Sequence, residues 1–581
     1  ERRKRYGLKV RVEQAFNVKM TTYDDAASRQ GVFGFARKKP LGAYAMDDCQ
    51  WADALLMKAI ESIRTQDPPR QQKDNWTSPL DNTPGFYSKL EKVFWQIEMP
   101  VQRILMEMEL QGCLIDWEWL VEVQRKLQQD KLKIIDDIQQ CAGWVPNLRS
   151  TKQVSDFLYG KKEDGGLELP TDGLDYNEDL DQYTTRDKVI AHFGKKVPVV
   201  KMLLDYRSLE VIDRSFCKKL IEIAREEGRC YSHFRQTGTV IGRLSSADPI
   251  NLMNQPRDKN LVRKSFCSHL PVDPDPERAE LDFFDADYGQ VELRMASHLA
   301  VERNMIEVYT SGGVCTCDRF VHYYECKDEF KKKCKWEGLL KPGEPDVLLM
   351  PDGSAVKLCP QCKSKVAAQD RCRHVDLHQR TSEDVQVKRN PLAKNLNFGL
   401  LYRMGAPKFV TYADLYDDDG QPRIAYAEEL VFKWHDAYPG IAEWHERVIA
   451  KLIEDGFVAY TLTNRRRRLD IEWKINEYRA GTQAIQFKVS GSCQDIIKLA
   501  MIEIYRARER KIANSPPAES RLWKRLRFMI QVHDELVFEG PRAIRTEICE
   551  LIKRCMEGVA PTLRVPLVAN VKVGRNWDET H

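Results

Sequence analysis

A chain of 581 residues, at roughly 150 per domain, has room for about four domains and several cores. Ninety-one Lys and Arg against 87 Asp and Glu leave a formal charge of +4, and 42% hydrophobic with 31% charged residues is ordinary globular usage, which excludes wholesale disorder and fibres. No apolar run reaches the roughly 18 residues of a membrane span and no signal core follows Glu1-Arg2-Arg3-Lys4-Arg5, so the chain is expected to be soluble and intracellular.

The chain opens without Met in a segment that reads as the tail of something larger. Residues 41–65 read as a helix, and the Gln, Pro, Asp, Asn and Gly of 66–87 as a linker. From Leu90 to about Leu127 apolar residues recur at helical spacing (Val93, Ile97, Val101, Ile104, Leu105, Met108), with Pro100 opening or kinking a helix. Residues 160–185 read as loop, Val197 to Glu226 as an amphipathic helix, and Cys230 to Pro256 as short strands and turns. Helical patterns return over Glu292 to Tyr309, Asp384 to Tyr402, Ala425 to Ala437, Gly440 to Asp455, Ile475 to Lys511 and Arg542 to Gly558. The mixture is α+β with a helix majority, and its strands gather around two acidic strings.

The first string, Leu281 to Arg294 (LDFFDADYGQVELR), reads as a buried strand ending in Asp287 that runs into a helix from Val291. In the second, Phe528 to Glu539 (FMIQVHDELVFE), two apolar strands bracket a polar turn, which predicts a hairpin with Asp534 at its tip. An isolated Asp is more often a turn or cap residue than a ligand. Were these two to meet, they could share a pair of Mg²⁺ ions and serve phosphoryl transfer. Between the strings, KRNPLAKNLNFGLLYRMG places Lys394, Phe398 and Tyr402 on one helix face and Leu392, Leu396 and Leu400 on a packing stripe. A Lys there suits a triphosphate as a point charge, and the aromatics suit a base or sugar, although a solvated Lys beside core aromatics gives the same pattern.

Seven of the sixteen cysteines fall in one block: Cys315, Cys317, Cys326, Cys334, Cys359, Cys362 and Cys372. Four or more of them, with His322 or His374 assisting, are candidates for structural Zn²⁺, the alternative being free surface thiols. Lys331 to Lys333 and Lys335, and the run Arg465 to Arg468, could meet phosphate backbone or be solvated faces.

In this order, DADYGQVELRMASHLA, the KxxxFGxxY part of the helix and QVHDELVFE resemble motifs A, B and C of family A DNA polymerases, the group of bacterial DNA polymerase I. Thr239 to Pro256 (TVIGRLSSADPINLMNQP) is similar to that family's GRLSS segment. The resemblance implies a right-hand polymerase fold of thumb, palm and fingers with a small antiparallel palm sheet. Its boundaries would be an exonuclease-like remnant at 1–66, a linker at 67–88, thumb and thumb-palm connection at 89–229, palm at 230–310, the Cys-rich insertion at 311–375, fingers at 376–455 and the rest of the palm at 456–581.

By the same resemblance Asp287 and Asp534 would bind two catalytic Mg²⁺ ions, for which Mn²⁺ could substitute, and Glu535 would support that site. Lys394 would contact the triphosphate and assist proton transfer. Glu292 would be the steric gate against a ribose 2′-hydroxyl, and Arg389, Phe398, Tyr402, Tyr288 and Gln290 would complete the nucleotide pocket. Arg243, Asn251, Asn254, His533 and Gln531 would lie along the DNA, with Asn251 and Asn254 equally readable as turn residues. Departures stand beside these matches. Asn390 occupies the usual Arg position, Arg403 follows Tyr402 where Gly is usual, Gly289 replaces a Ser, and Thr482, Gln486 and Ser490 replace Arg, Asn and Gln. Nine residues from Lys394, Arg403 would face the opposite side of the helix, toward template phosphate.

Tyr44 to Asp48 resembles the YxxxD motif of the family's 3′-5′ exonuclease, but no DxE pair precedes it, so proofreading is not expected from this chain. The implied partners are primer-template DNA, deoxynucleoside triphosphates and replisome proteins, for a phage-type monomer acting in DNA replication in the cytoplasm of a bacterium or infected host. A single-subunit RNA polymerase and a non-catalytic DNA-binding scaffold of the replisome are the alternatives.

Overall fold

The computed structural model describes residues 55–61, 89–171, 174–191, 193–247, 249–256, 261–270, 280–310, 377–417 and 421–580, with five short strands between 323 and 369 described by backbone alone. The described chain divides into two compact units, one of residues 1–100 with 462–466 and the other of 101–461 with 467–581. The first unit thus extends past the 67–88 linker read from the sequence. It contains the helix Lys89–Val93 and the wide turn Phe94–Glu98, and here Arg465 is ion-paired with Glu98.

The helix Met99–Gln111, in the second unit from Val101 on, precedes the longer α1 (Trp117–Ala142), so the helical pattern read from Leu90 to about Leu127 is broken between Gln111 and Trp117. Gly112, at φ 58, turns the chain, and Cys113–Leu114 forms a short ladder with Arg229–Cys230 before α1 begins. Asp116 caps α1 by accepting from the Trp119 amide at 2.9 Å, and Gly143 at φ 80 ends it, the left-handed terminus that glycine adopts without penalty. Phe157, Leu158, Val200 and Leu203 pack with Ile138 of α1 into a closed core under α2 (Pro198–Val211). A buried ionic group ties the two helices: Lys131 Nζ lies 2.5 Å from Asp213 and 2.8 Å from Glu210.

The core of the unit is a four-stranded antiparallel sheet of β1 (Leu281–Tyr288), β2 (Arg527–Val532), β3 (Glu535–Pro541) and β4 (Ala569–Gly574), in the order β2-β3-β1-β4. Successive side chains of a strand face opposite sides. Asp282, Phe284, Ala286 and Tyr288 take one face of β1; there Asp282 receives Arg545 at 2.8 Å and the Tyr288 hydroxyl donates to the Met556 carbonyl at 2.7 Å, on helix α6 (Arg545–Gly558). Asp285 and Asp287 take the other face, opposite Val537 and Glu535 of β3. Helix α3 (Val291–Ala300) leaves the end of β1, and α5 (Ser492–Asn514) packs against α6.

Helix α4 (Lys394–Leu401) is shorter than its sequence pattern. Asn390 has extended backbone angles, so helical geometry begins only at Pro391, and the helix stops at Leu401 because Arg403 turns left-handed at φ 59. Among the described residues no helix is long and apolar enough to cross a membrane.

Candidate active site

The end of β1 and the β2–β3 hairpin build the site's floor. Val532 pairs with Glu535, so the connection is the two-residue loop His533-Asp534, with His533 at φ 55 as such tight loops require. Two amide side chains hold the loop by donating to the His533 carbonyl, Gln531 at 2.6 Å and Gln494 of α5 at 3.4 Å. β3 lies beside β1 in a register that sets Glu535 opposite Asp287, and the Tyr288 amide donates to the Asp534 carbonyl at 3.3 Å. Two aspartates far apart in sequence therefore stand on adjacent strand ends, both half-buried.

Past β1, Gln290 turns left-handed at φ 55 to start α3, its side chain fixed by the Tyr309 hydroxyl at 2.9 Å. Glu292 follows in the first turn, where the helix dipole favours a carboxylate. One Glu292 oxygen accepts from Arg243 at 3.1 Å and Ser490 at 2.9 Å, and the other from the Tyr402 hydroxyl at 2.7 Å. Burial, then the Glu292 charge, pushes the Tyr402 phenol well above its usual range, so it stays a neutral donor.

A cavity of about 220 Å³ opens between these elements, lined by Arg243, Gln290, Val291, Glu292, Phe398, Cys493, Gln494, His533 and Asp534. Asp534 is pushed up to about 6, first by burial and then, against the lowering effect of its backbone hydrogen bond, by the facing charges of Glu292 and Glu535. The Cys493 thiol is pushed well above its usual value by burial and remains uncharged. Among the described residues no group of three or more His, Cys, Asp and Glu side chains is arranged to hold a metal ion.

Lys394 is exposed on α4, Phe398 is half-buried with its ring 5.6 Å from that of His378, and Arg389 is half-buried just before the helix starts. Of the Lys394, Phe398 and Tyr402 series, Tyr402 lies one residue beyond the helix.

Several expectations are corrected. Tyr288 does not face the cavity, because strand alternation puts its ring in the core against α6. Gln531 is buried behind the loop it braces. Glu535 is fully buried, receives the Trp577 indole N–H at 2.6 Å and lies 3.8 Å from Arg263, behind the cavity and outside its lining. Asn251 and Asn254 need no correction: Asn251, as its alternative reading as a turn residue expects, caps a single helical turn by accepting from the Met253 amide at 2.9 Å, and Asn254 is exposed at that turn's end. Arg403 does not sit on the far side of a helix, since the helix has already ended. Its guanidinium lies 4.7 Å over the Tyr478 ring.

Arg465 and Arg467 are engaged within the protein, Arg467 donating to Gln483 at 2.7 Å. Cys315, Cys317, Cys334, Cys359, Cys362 and Cys372, like Tyr44 and Asp48, lie outside the described residues, and Cys326 is described only as the end of a strand. Ser490, Cys493 and Gln494 were missed as site residues; Ser490 was visible only as a departure, and Gln494 acts on a backbone carbonyl that leaves no pattern in sequence.

A profile of DNA polymerase family A matches residues 118–320 and 369–579. The gap at 321–368 carries Cys326, Cys334, Cys359 and Cys362. The chain is 28% identical over 503 residues to DNA polymerase I of Caldicellulosiruptor bescii, covering 84% of this chain and 47% of that protein. It is 25% identical over 564 residues to DNA polymerase I of Geobacillus stearothermophilus, covering 96% and 52%. The chain thus spans about half the length of these curated relatives. Among solved structures, the POL domain of Pol1 from M. smegmatis in complex with DNA primer-template and dNTP superposes with a TM-score of 0.66 at 22% identity, over 99% of this chain and 79% of that one. That likeness shows the expected right-hand polymerase fold.

Proposed function

The chain belongs to DNA polymerase family A, and on that premise we propose that it is a template-directed DNA polymerase adding deoxynucleotides to a primer 3′-hydroxyl. The observation that carries the proposal is that the backbones bearing Asp287 and Asp534 lie side by side, with Asp534 lining a cavity together with Arg243, Glu292 and Phe398. Two carboxylates, one at a strand end and one on the tight loop beside it, fit hard divalent cations, and the Asp534 carboxyl, pushed up to about 6 by burial and like charges, is a group whose crowding a cation would relieve. A pair of Mg²⁺ ions bound there would lower the pKa of the attacking hydroxyl and neutralise charge on the leaving oxygen.

The remaining roles fall to side chains of this chain. Exposed Lys394 and neighbouring Arg389 supply positive charge for a triphosphate at the start of α4. Phe398 offers its face to the nucleotide, and Glu292 closes the space beside the sugar. Arg243, lining the cavity, reaches the primer end, and His533, exposed on the loop, lies alongside it. Glu535 acts from behind, holding β3 through Trp577 and Arg263 and adding negative charge beneath Asp534.

Primer extension on a primed DNA template with the four dNTPs and Mg²⁺ tests the proposal. Asp534→Ala is expected to lower the rate by about a thousandfold or more, the scale on which enzymes depend on metal charge stabilisation. Undiminished synthesis would remove Asp534 from the reaction.

A further inference from the structure

Ser490 sits in the wide helical turn Phe487–Gly491 that leads into α5, and it is 2% exposed. The backbone is drawn close to its surroundings there: a Cβ on Gly491 would stand 2.7 Å from the Thr461 methyl, so only glycine leaves the turn where it is. That placement aims the Ser490 hydroxyl at one Glu292 oxygen, 2.9 Å away, and at the Tyr402 hydroxyl, 3.0 Å away. With the 2.7 Å bond from Tyr402 to the other Glu292 oxygen, two hydroxyls from two elements each donate to one carboxylate oxygen and lie side by side.

We propose that Ser490 is a positioning residue for sugar discrimination: it locks the Glu292 carboxylate in the orientation that excludes a ribose 2′-hydroxyl. The inference rests on the reading of Glu292 as the group that closes the sugar space. A glutamate has three rotatable bonds and can swing away from a larger sugar unless both oxygens are tied. Tyr402 ties one, while Arg243 and Ser490 share the other. Arg243 has a second claim on it, because the same guanidinium is assigned to the primer end. When Arg243 turns to DNA, Ser490 becomes the donor that keeps this oxygen in place. It does so as a neutral group with no assigned role at the DNA, inside a site where a hydrogen bond to a carboxylate is worth more than in water.

The test is single-nucleotide incorporation by the full chain, comparing kcat/KM for a dNTP and its matching rNTP. Ser490→Ala is expected to lower the dNTP-over-rNTP ratio about tenfold, the scale of one lost hydrogen bond to a charged group. The change should appear as a lower KM for the ribonucleotide, which a merely structural role would not produce, and Ser490→Thr should restore most of the ratio because it keeps a hydroxyl. Glu292→Ala serves as the reference. If Ser490→Ala keeps the wild-type ratio while Glu292→Ala loses it, Ser490 has no such role and the reading of Glu292 survives. If Glu292→Ala also keeps the ratio, that reading has failed and this inference with it.

Discussion

Two groups of buried carboxylates in this chain are held in opposite electrostatic states. Between α1 and α2, burial alone would push Glu210 up, but hydrogen bonds from Lys131 and Arg149 prevail and hold it below its ordinary value. Lys131 is correspondingly held above its own, its partners Asp213 and Glu210 outweighing the cost of burial. At the end of β1 the carboxylates face one another instead. Asp534 is pushed up to about 6 and Asp285 to about 8, each by burial first and then by neighbouring negative charge. Both groups are acidic and buried, yet one is an internally balanced brace and the other a site short of positive charge. Counting acidic residues would not separate them; the sign of the shift does.

The largest effect expected is on the brace. Lys131→Met leaves Asp213 buried without its cation, while Glu210 keeps Arg149, and should cost about 3 kcal/mol of stability in chemical denaturation. A loss under 1 kcal/mol would show the group to be no brace. The crowded site should respond the other way. With the metal chelated, Asp534→Asn is expected to stabilise the chain at pH 8 by roughly 2 kcal/mol. A carboxyl raised from 3.8 to about 6 gives its full stabilising contribution below pH 3.8 and loses it as pH rises through 6, so the gain should shrink to nothing near pH 4. A pH-independent gain would point to some other cause.

Trp577→Phe removes the indole donor from fully buried Glu535 and should cost about 2 kcal/mol, read as a lower denaturation midpoint. The smallest change is expected for Glu210→Gln, about 1 kcal/mol at pH 7. Because the folded-state value is depressed, that contribution is present above the ordinary carboxylate pKa and fades as pH falls below it, opposite in slope to Asp534→Asn. Parallel slopes for the two variants would erase the distinction between the groups.

Much of the site's frame was legible in the sequence because it is written in local pattern. An apolar strand running to Asp287 and two apolar strands around His533-Asp534 predict β1 and the hairpin, and both are present. Strand period also carries a message about direction: Asp287 and Tyr288 are adjacent and must face opposite sides, which separates the candidate ligand from the core residue. What remained illegible depends on contacts between distant segments. The break at Arg403 is a left-handed turn that arginine does not announce. Ser490 reaches Glu292 only through the packing of the turn before α5 against α3, and Glu535 looks as available as Asp534 until its indole and guanidinium neighbours are known.

The shortness of the His533-Asp534 connection has a consequence for how this chain can vary. With no spare residue between β2 and β3, a one-residue slip of β3 would turn Glu535 from the face it shares with Asp287 to the face packed against α6. Length in this loop is therefore as constrained as side-chain identity: a slip by one would dismantle the candidate site with every acidic residue still present in the sequence.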